Sequence, residues 1–163
     1  MCGIIGMIGA NSVVPYILEG LRRLEYRGYD SAGISTLVKG VVNRRRAEGK
    51  LAKLEKKLKD KPLTGNIGIG HTRWATHGAP NLINAHPHVS GPVSVVHNGI
   101  IENHKKLRAD LVASGFVMET DTDTEVVAHL VKYYHDQGLS PEEIIRSIIE
   151  RLNGAYALVI MIA

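Results

Sequence analysis

A single cysteine among 163 residues excludes an internal disulfide, and with it the small cross-linked domains of oxidising compartments. Phenylalanine and tryptophan occur once each, too few for the interleaved basic and aromatic face that reads nucleic acid. No apolar run approaches the ~20 residues a membrane-spanning helix needs. The opening MCGIIGMIGANSVV also lacks the basic start of a secretory signal and is broken by glycine. Neither sign of charge dominates: 20 basic against 16 acidic residues give +4, with a pI near 9.2. These absences predict a cytoplasmic chain with no nucleic-acid and no membrane partner.

What is present is ordinary globular usage, 44% hydrophobic and 22% charged residues, in a length that suits one core. Ile17, Leu18, Leu21 and Leu24 recur at helical spacing behind Pro15, so a helix is predicted over Val14 to Glu25. Short apolar runs at 3–9, 67–71 and 93–97 read as strands, and 32–38 with 41–43 reads as a hairpin turning on Lys39-Gly40. Leu51, Leu54 and Leu58 give a basic helix one narrow stripe, expected to lie on the surface. Helices are also predicted near 102–114 and 124–137. Ser140, Pro141 and Glu143 spell a capping box for a last helix that buries Ile144, Ile145, Ile148, Ile149 and Leu152. The run AYALVIMIA then reads as a buried strand with no turn or polar tail after it, as if the chain were cut there. Strands grouped between helices, without regular βαβ alternation, favour an α+β fold with largely antiparallel sheets.

The chemistry gathers in a few clusters. Loss of Met1 would give Cys2 a thiol and a free α-amine on one residue. With unperturbed pKa values of ~8.5 and ~7.7–8.0, the amine can take the proton that the thiol gives up. Elsewhere a cysteine is more often a small buried apolar residue, but position two followed by glycine favours the nucleophile. In HTRWATHG at 71–78, Arg73 can hold a carboxylate with paired donors, or serve a structural ion pair. Trp74, Thr76 and His77 can wall a small polar ligand. In VVHNG at 95–99, Asn98 and the Gly99 N–H can cradle an oxyanion, while Asn-Gly is equally a strong hairpin signal. His86-Pro87-His88 invites a zinc reading, against which stand the missing acidic ligand and the terminal position of the only thiol. Thr120 to Glu125 reads first as a helix cap, with one carboxylate free to face an ammonium group.

As a set, MCGIIG at 1–6, RRLEYRGYDSAG at 22–33, HTRWATHG at 71–78, NAHPH at 84–88, VVHNGIIENH at 95–104 and TDTEV at 122–126 resemble the class II glutamine amidotransferases. EYRGYDS, HTRWATHG and HPH look like the branch that serves sugar phosphates. The resemblance implies an αββα N-terminal-nucleophile sandwich, incomplete at its C-terminus, over residues 1–163. It implies that Cys2 attacks the side-chain amide of glutamine and releases ammonia through a thioester, without cofactor or metal. Carried over by motif, Asn98 and Gly99 form the oxyanion hole and Arg27 and Gly28 orient the nucleophile. Arg73, Trp74, Thr76, His77, His86 and Asp123 bind the substrate, Asp121 being the competing register for Asp123. The expected partner is an isomerase domain that binds fructose 6-phosphate and accepts the ammonia, normally in the same longer chain, with a homo-oligomer also open. The alternatives are an idle fragment that only associates, or another class II amidotransferase.

Overall fold

Isoleucine alternating with glycine makes β4 (Ile67–Arg73), beside β1 (Gly3–Ile8), thin enough on one side to admit a helix closely. That helix is α1 (Val14–Leu24), whose Ile17 and Leu21 are fully buried; a Cβ at Gly70 would stand 2.4 Å from Ile17 Cγ2. Each such buried side chain contributes about 1.5–3 kcal/mol. The structure is a computed structural model and describes residues 2–163; Met1, whose removal the thiol chemistry calls for, lies outside the described residues.

β4 is flanked by β1 on one side and by β2 (Ser31–Val38) on the other, and β2 pairs with β3 (Val41–Glu48), giving a four-stranded antiparallel sheet in the order β1-β4-β2-β3. The predicted hairpin is thus present but longer, because β3 runs on through Arg44-Arg45-Arg46 to Glu48. A second sheet, β5-β6-β7, joins β5 (His88–Ser90), β6 (Val93–Ile101) and β7 (Gly154–Ile162), again antiparallel. The first sheet carries α1 and α2 (Leu51–Asp60) on its outer face. The second carries α4 (Asp123–Asp136), backed by α3 (His104–Ala113) and α5 (Pro141–Arg151). The layers are therefore αββα, as expected.

Three elements depart from expectation. The α2 stripe is core, not surface, since Leu51, Leu54 and Leu58 are all buried against Ala47 and Ile34. On α5 the capping box forms as predicted, yet only Ile144 and Ile148 go inward with Leu152. Ile145 and Ile149 are exposed, because α5 packs one narrow face on α4. β7 is not a buried strand: it pairs with β6 alone and only Met161 is buried.

Most of the core lies between each sheet and its helices. Among the described residues the seam between the two sheets buries Ile69, Val96 and Met161 as its apolar cluster, with Ser35 Oγ bonded to Ser94 Oγ across it at 2.7 Å.

Candidate active site

Antiparallel pairing brings the start of β1 and the end of β4 to one rim, with Gly3 opposite Thr72. The end of β6 and the start of β7 reach the same rim from the other sheet, with Asn98 opposite Ala157. Cys2, Arg73 and Asn98 therefore meet although they are far apart in sequence. The Cys2 backbone nitrogen donates to Asn98 Oδ1 at 3.2 Å. Its Sγ receives the Trp74 N–H at 3.4 Å and lies 3.5 Å from the Trp74 carbonyl. Burial pushes the thiol pKa up, with Asp30 adding to the rise; the Trp74 N–H and the Arg73 charge pull the other way.

The cluster expected to end a strand does not. β6 continues through Asn98-Gly99 to Ile101, so no hairpin turn forms there. Gly99 has φ +133°, and a Cβ on it would stand 2.2 Å from the Ala155 carbonyl oxygen, so a side chain is excluded twice over. With Asn98 Oδ1 engaged by Cys2, its Nδ2 is the group left to donate. Gly28, in the turn after α1, approaches the Arg73–Trp74 backbone so closely that a Cβ would lie 2.7 Å from the Arg73 carbonyl. Arg27 Nε donates to the Tyr26 hydroxyl at 3.0 Å.

A polar cleft beside Cys2 is lined by Arg73, Trp74, Thr76, His77, His86, Gly99 and Asp123, with His97, Thr122 and Thr124 behind, and encloses about 10 Å³, room for one water. Arg27, Gly28 and Asn98 stand outside this lining. Arg73 is buried and turned toward the backbone: it donates to the carbonyls of His77, Gly78 and Ala79 and lies 3.8 Å from Asp30. Asp123 Oδ2 accepts the Ile101 N–H at 2.9 Å. Asp121 is exposed at a different place, within reach of Asn84, whose Oδ1 accepts the Asp121 N–H at 3.0 Å.

Behind the cleft lies a packed histidine layer. His71 stacks on His86 with centroids 4.1 Å apart, and His86 meets His88 edge-on at 4.5 Å. His86 Nε2 and His97 Nδ1 both bond Thr124 Oγ1, at 2.7 and 2.9 Å, and His88 Nε2 bonds Thr122 Oγ1 at 3.1 Å. Burial holds these imidazoles neutral: it pushes His71 down to about 3 and His86 and His88 well below the ordinary value. Among the described residues no group of three or more His, Cys, Asp or Glu is placed to hold a metal.

Sequence reasoning passed over two members of this assembly. Asp30 ties the 73–75 turn to the start of β2: it accepts from the Ala75 N–H and the Ser31 hydroxyl and faces Arg73. Its only signal was its place inside YRGYDS. Thr124 looked like a spare cap residue, and nothing local marks it as the junction of two histidines.

The family described as glutamine amidotransferase domain matches residues 80–163. The chain is 58% identical over 161 residues to a glutamine–fructose-6-phosphate aminotransferase [isomerizing] of Mesorhizobium japonicum, covering 99% of this chain and 26% of that protein. It is 60% identical over 158 residues to the protein of the same name from Brucella abortus, covering 97% and 26%. The chain thus spans about a quarter of the length of these curated relatives. Among solved structures, the glutamine phosphoribosylpyrophosphate amidotransferase of B. subtilis superposes with a TM-score of 0.84 at 27% identity, over 99% of this chain and 35% of that one. The αββα layering is accordingly that of the N-terminal-nucleophile amidotransferases, and among the described residues no helix is long and apolar enough to cross a membrane. With more than half its length under the family profile, the chain belongs to the glutamine amidotransferase domain family.

Proposed function

We propose that this chain hydrolyses the side-chain amide of glutamine to glutamate and ammonia, with Cys2 as nucleophile. The observation that carries the reading is the contact of the Cys2 nitrogen with Asn98 Oδ1, with the sulfur beside it on the Trp74 backbone at the edge of a polar cleft. Once Met1 is removed that nitrogen is an amine. It takes the thiol proton as Sγ bonds to the amide carbon, which matters because burial raises the thiol pKa. The carbonyl oxygen becomes an oxyanion facing Asn98 Nδ2 and the Gly99 N–H. Collapse breaks the C–N bond, the ammonium form of the Cys2 nitrogen returns its proton to the departing nitrogen as ammonia, and water then cleaves the thioester to glutamate.

Arg73 serves the α-carboxylate and Asp123 the α-ammonium group, while Trp74, Thr76 and His77 form the walls. His86 supports the site through Thr124, and Arg27 and Gly28 orient the strand carrying Cys2. A cleft of about 10 Å³ does not admit an amino acid, so the 74–80 segment moves aside on binding. Arg73 then exchanges one of its carbonyl partners for the substrate carboxylate. Asp123 fits the ammonium role better than Asp121, because it lines the cleft.

The 163 residues are read as the ammonia-releasing domain of a longer cytoplasmic protein whose isomerase part takes fructose 6-phosphate, in one or more copies. Identity of 55–60% to the fructose-6-phosphate aminotransferases against 27% to the phosphoribosylpyrophosphate amidotransferase supports fructose 6-phosphate as that acceptor. The test is ammonia release from glutamine by protein whose N-terminal residue is established by intact mass. Turnover unaffected by Cys2→Ala overturns the thiol mechanism.

A further inference from the structure

Arg44 and Arg46 are two residues apart on β3, so both side chains leave the same face. Arg45 leaves the other face and donates to the Lys61 carbonyl at 3.1 Å. Arg44 Nη1 donates to the Pro87 carbonyl at 2.9 Å, and Arg46 Nη1 to the carbonyls of Ile83 and Ala85 at 3.0 and 2.6 Å. These bonds fix the guanidinium groups without neutralising them. Arg22, Arg73, Arg108 and Arg151 each have a carboxylate within 4 Å. Among the described residues neither Arg44 nor Arg46 forms an ion pair, although both are largely removed from water. Burial depresses both pKa values, Arg46 to about 10 with the Arg44 charge contributing.

Beside them is a cavity of about 120 Å³ whose polar lining is Arg44, Arg46, His88, Glu119, Thr120 and Glu125. It shares no lining residue with the thiol cleft. Glu125 is not available to the arginines: its oxygens accept the Glu119 and Thr120 N–H groups and the Thr120 hydroxyl, and its charge faces Arg108 at 3.7 Å. Glu119 is exposed at the rim and makes no ion pair among the described residues. The lining therefore carries two arginine cations and two carboxylates, Glu119 at the rim and Glu125 already engaged by backbone N–H groups and facing Arg108, around several times the ~30 Å³ that a water molecule occupies.

We propose that this cavity binds a compact oxyanion, a phosphoryl group gripped between the Arg44 and Arg46 guanidiniums. Arginine forks suit the paired oxygens of such a group, and a dianion neutralises both charges. The group is either free phosphate or the end of a phosphorylated metabolite. The proposal is independent of the reading of Cys2.

The test is calorimetric titration of the full chain with inorganic phosphate, and in parallel with a hexose 6-phosphate, at an ionic strength held constant with sodium chloride. One saturable equivalent is expected. Arg44→Gln, which keeps a donor for the Pro87 carbonyl, should weaken binding about tenfold or more, the loss of a charge-assisted hydrogen bond. Glu119→Gln should tighten it severalfold by removing a like charge. Tighter binding of the hexose phosphate assigns the site to a metabolite; equal or tighter binding of phosphate assigns it to the free anion. The proposal is overturned if neither ligand saturates, or if Arg44→Gln binds as the parent does. It is also overturned if Glu119→Gln lowers the melting temperature without tightening the anion, which would make Glu119 the arginines' own counter-ion. Should Arg44→Gln fail to fold, the Glu119→Gln titration decides alone.

Discussion

The seam between the two sheets has two ends built on opposite terms. At the Cys2 end the sheets are closed by polar side chains around a cleft of about 10 Å³: His86 and His97 share Thr124 Oγ1, His71 Nε2 meets the His97 carbonyl, and Asp123 accepts the Ile101 N–H. At the far end Met7, Ile8, Leu37, Ile67, Ile160 and Ile162 diverge around an apolar groove of about 620 Å³, and Ile8 is 79% exposed. Directional bonds orient the first end, although His71 Nδ1, His86 Nδ1 and His97 Nε2 are buried there without a partner among the described residues. Contacts at the second are non-directional and tolerate looseness. The comparison teaches that precision here is local: the chain is exacting around Cys2 and permissive a strand's length away.

Substitutions should break this contrast unevenly. The largest effect is expected at Cys2: Cys2→Ala should lower ammonia release from glutamine by at least ~10³-fold without moving the melting temperature, measured by a coupled assay and thermal denaturation. Asn98→Ala should cost about 10²–10³-fold in kcat, as loss of an oxyanion donor does, with KM little changed. Asp123→Ala should raise KM for glutamine at least ~30-fold, the loss of a charge-assisted contact, whereas Asp121→Ala should change it less than about twofold. Equal effects of the two would mean that the register is wrong.

Acid should undo the polar end before the apolar one. His71, His86 and His88 are neutral in the folded chain, His71 down at about 3, whereas the unfolded chain protonates them near 6.5. The unfolded state then binds more protons, so their contribution is complete above about pH 6.5 and is lost as pH falls. The loss is on the order of 1.4 kcal/mol per pH unit for each imidazole that stays neutral. Glu125, held down at about 2 by His129 and by the Glu119 and Thr120 N–H groups despite its burial, adds a loss below about pH 4.5. Urea midpoints measured from pH 7 to pH 4 check the histidine part. The smallest effect is predicted at the groove, where Ile8→Lys should shift stability by no more than ~0.5 kcal/mol and leave glutamine turnover unchanged.

The same contrast governs what could be read from the chain in advance. Local signals succeeded where the physics is local: the Ser140 box starts α5, Lys39-Gly40 turns the β2–β3 hairpin, and the 3.6-residue spacing marks α1. They failed where a distant partner decides. Asn98-Gly99 has every mark of a turn, but nine residues of β7 arrive from far along the chain and hold it as strand. Ile145 and Ile149 fit an apolar face that α4 is too narrow to cover. For the site, motif order brought Cys2, Arg73, Asn98 and Asp123 into view, while the engagement of Arg73 by the 77–79 carbonyls and the Thr124 junction depend on side-chain geometry that no spacing encodes.

The tight crossing at Gly99 sets a limit on change. Because the Ala155 carbonyl occupies the space that any larger residue would need, a library carrying all twenty amino acids at that codon should yield survivors of one kind under selection for glutamine use. Relief could come only from a second alteration that pulls the neighbouring strand away, so the two positions would have to evolve together or not at all.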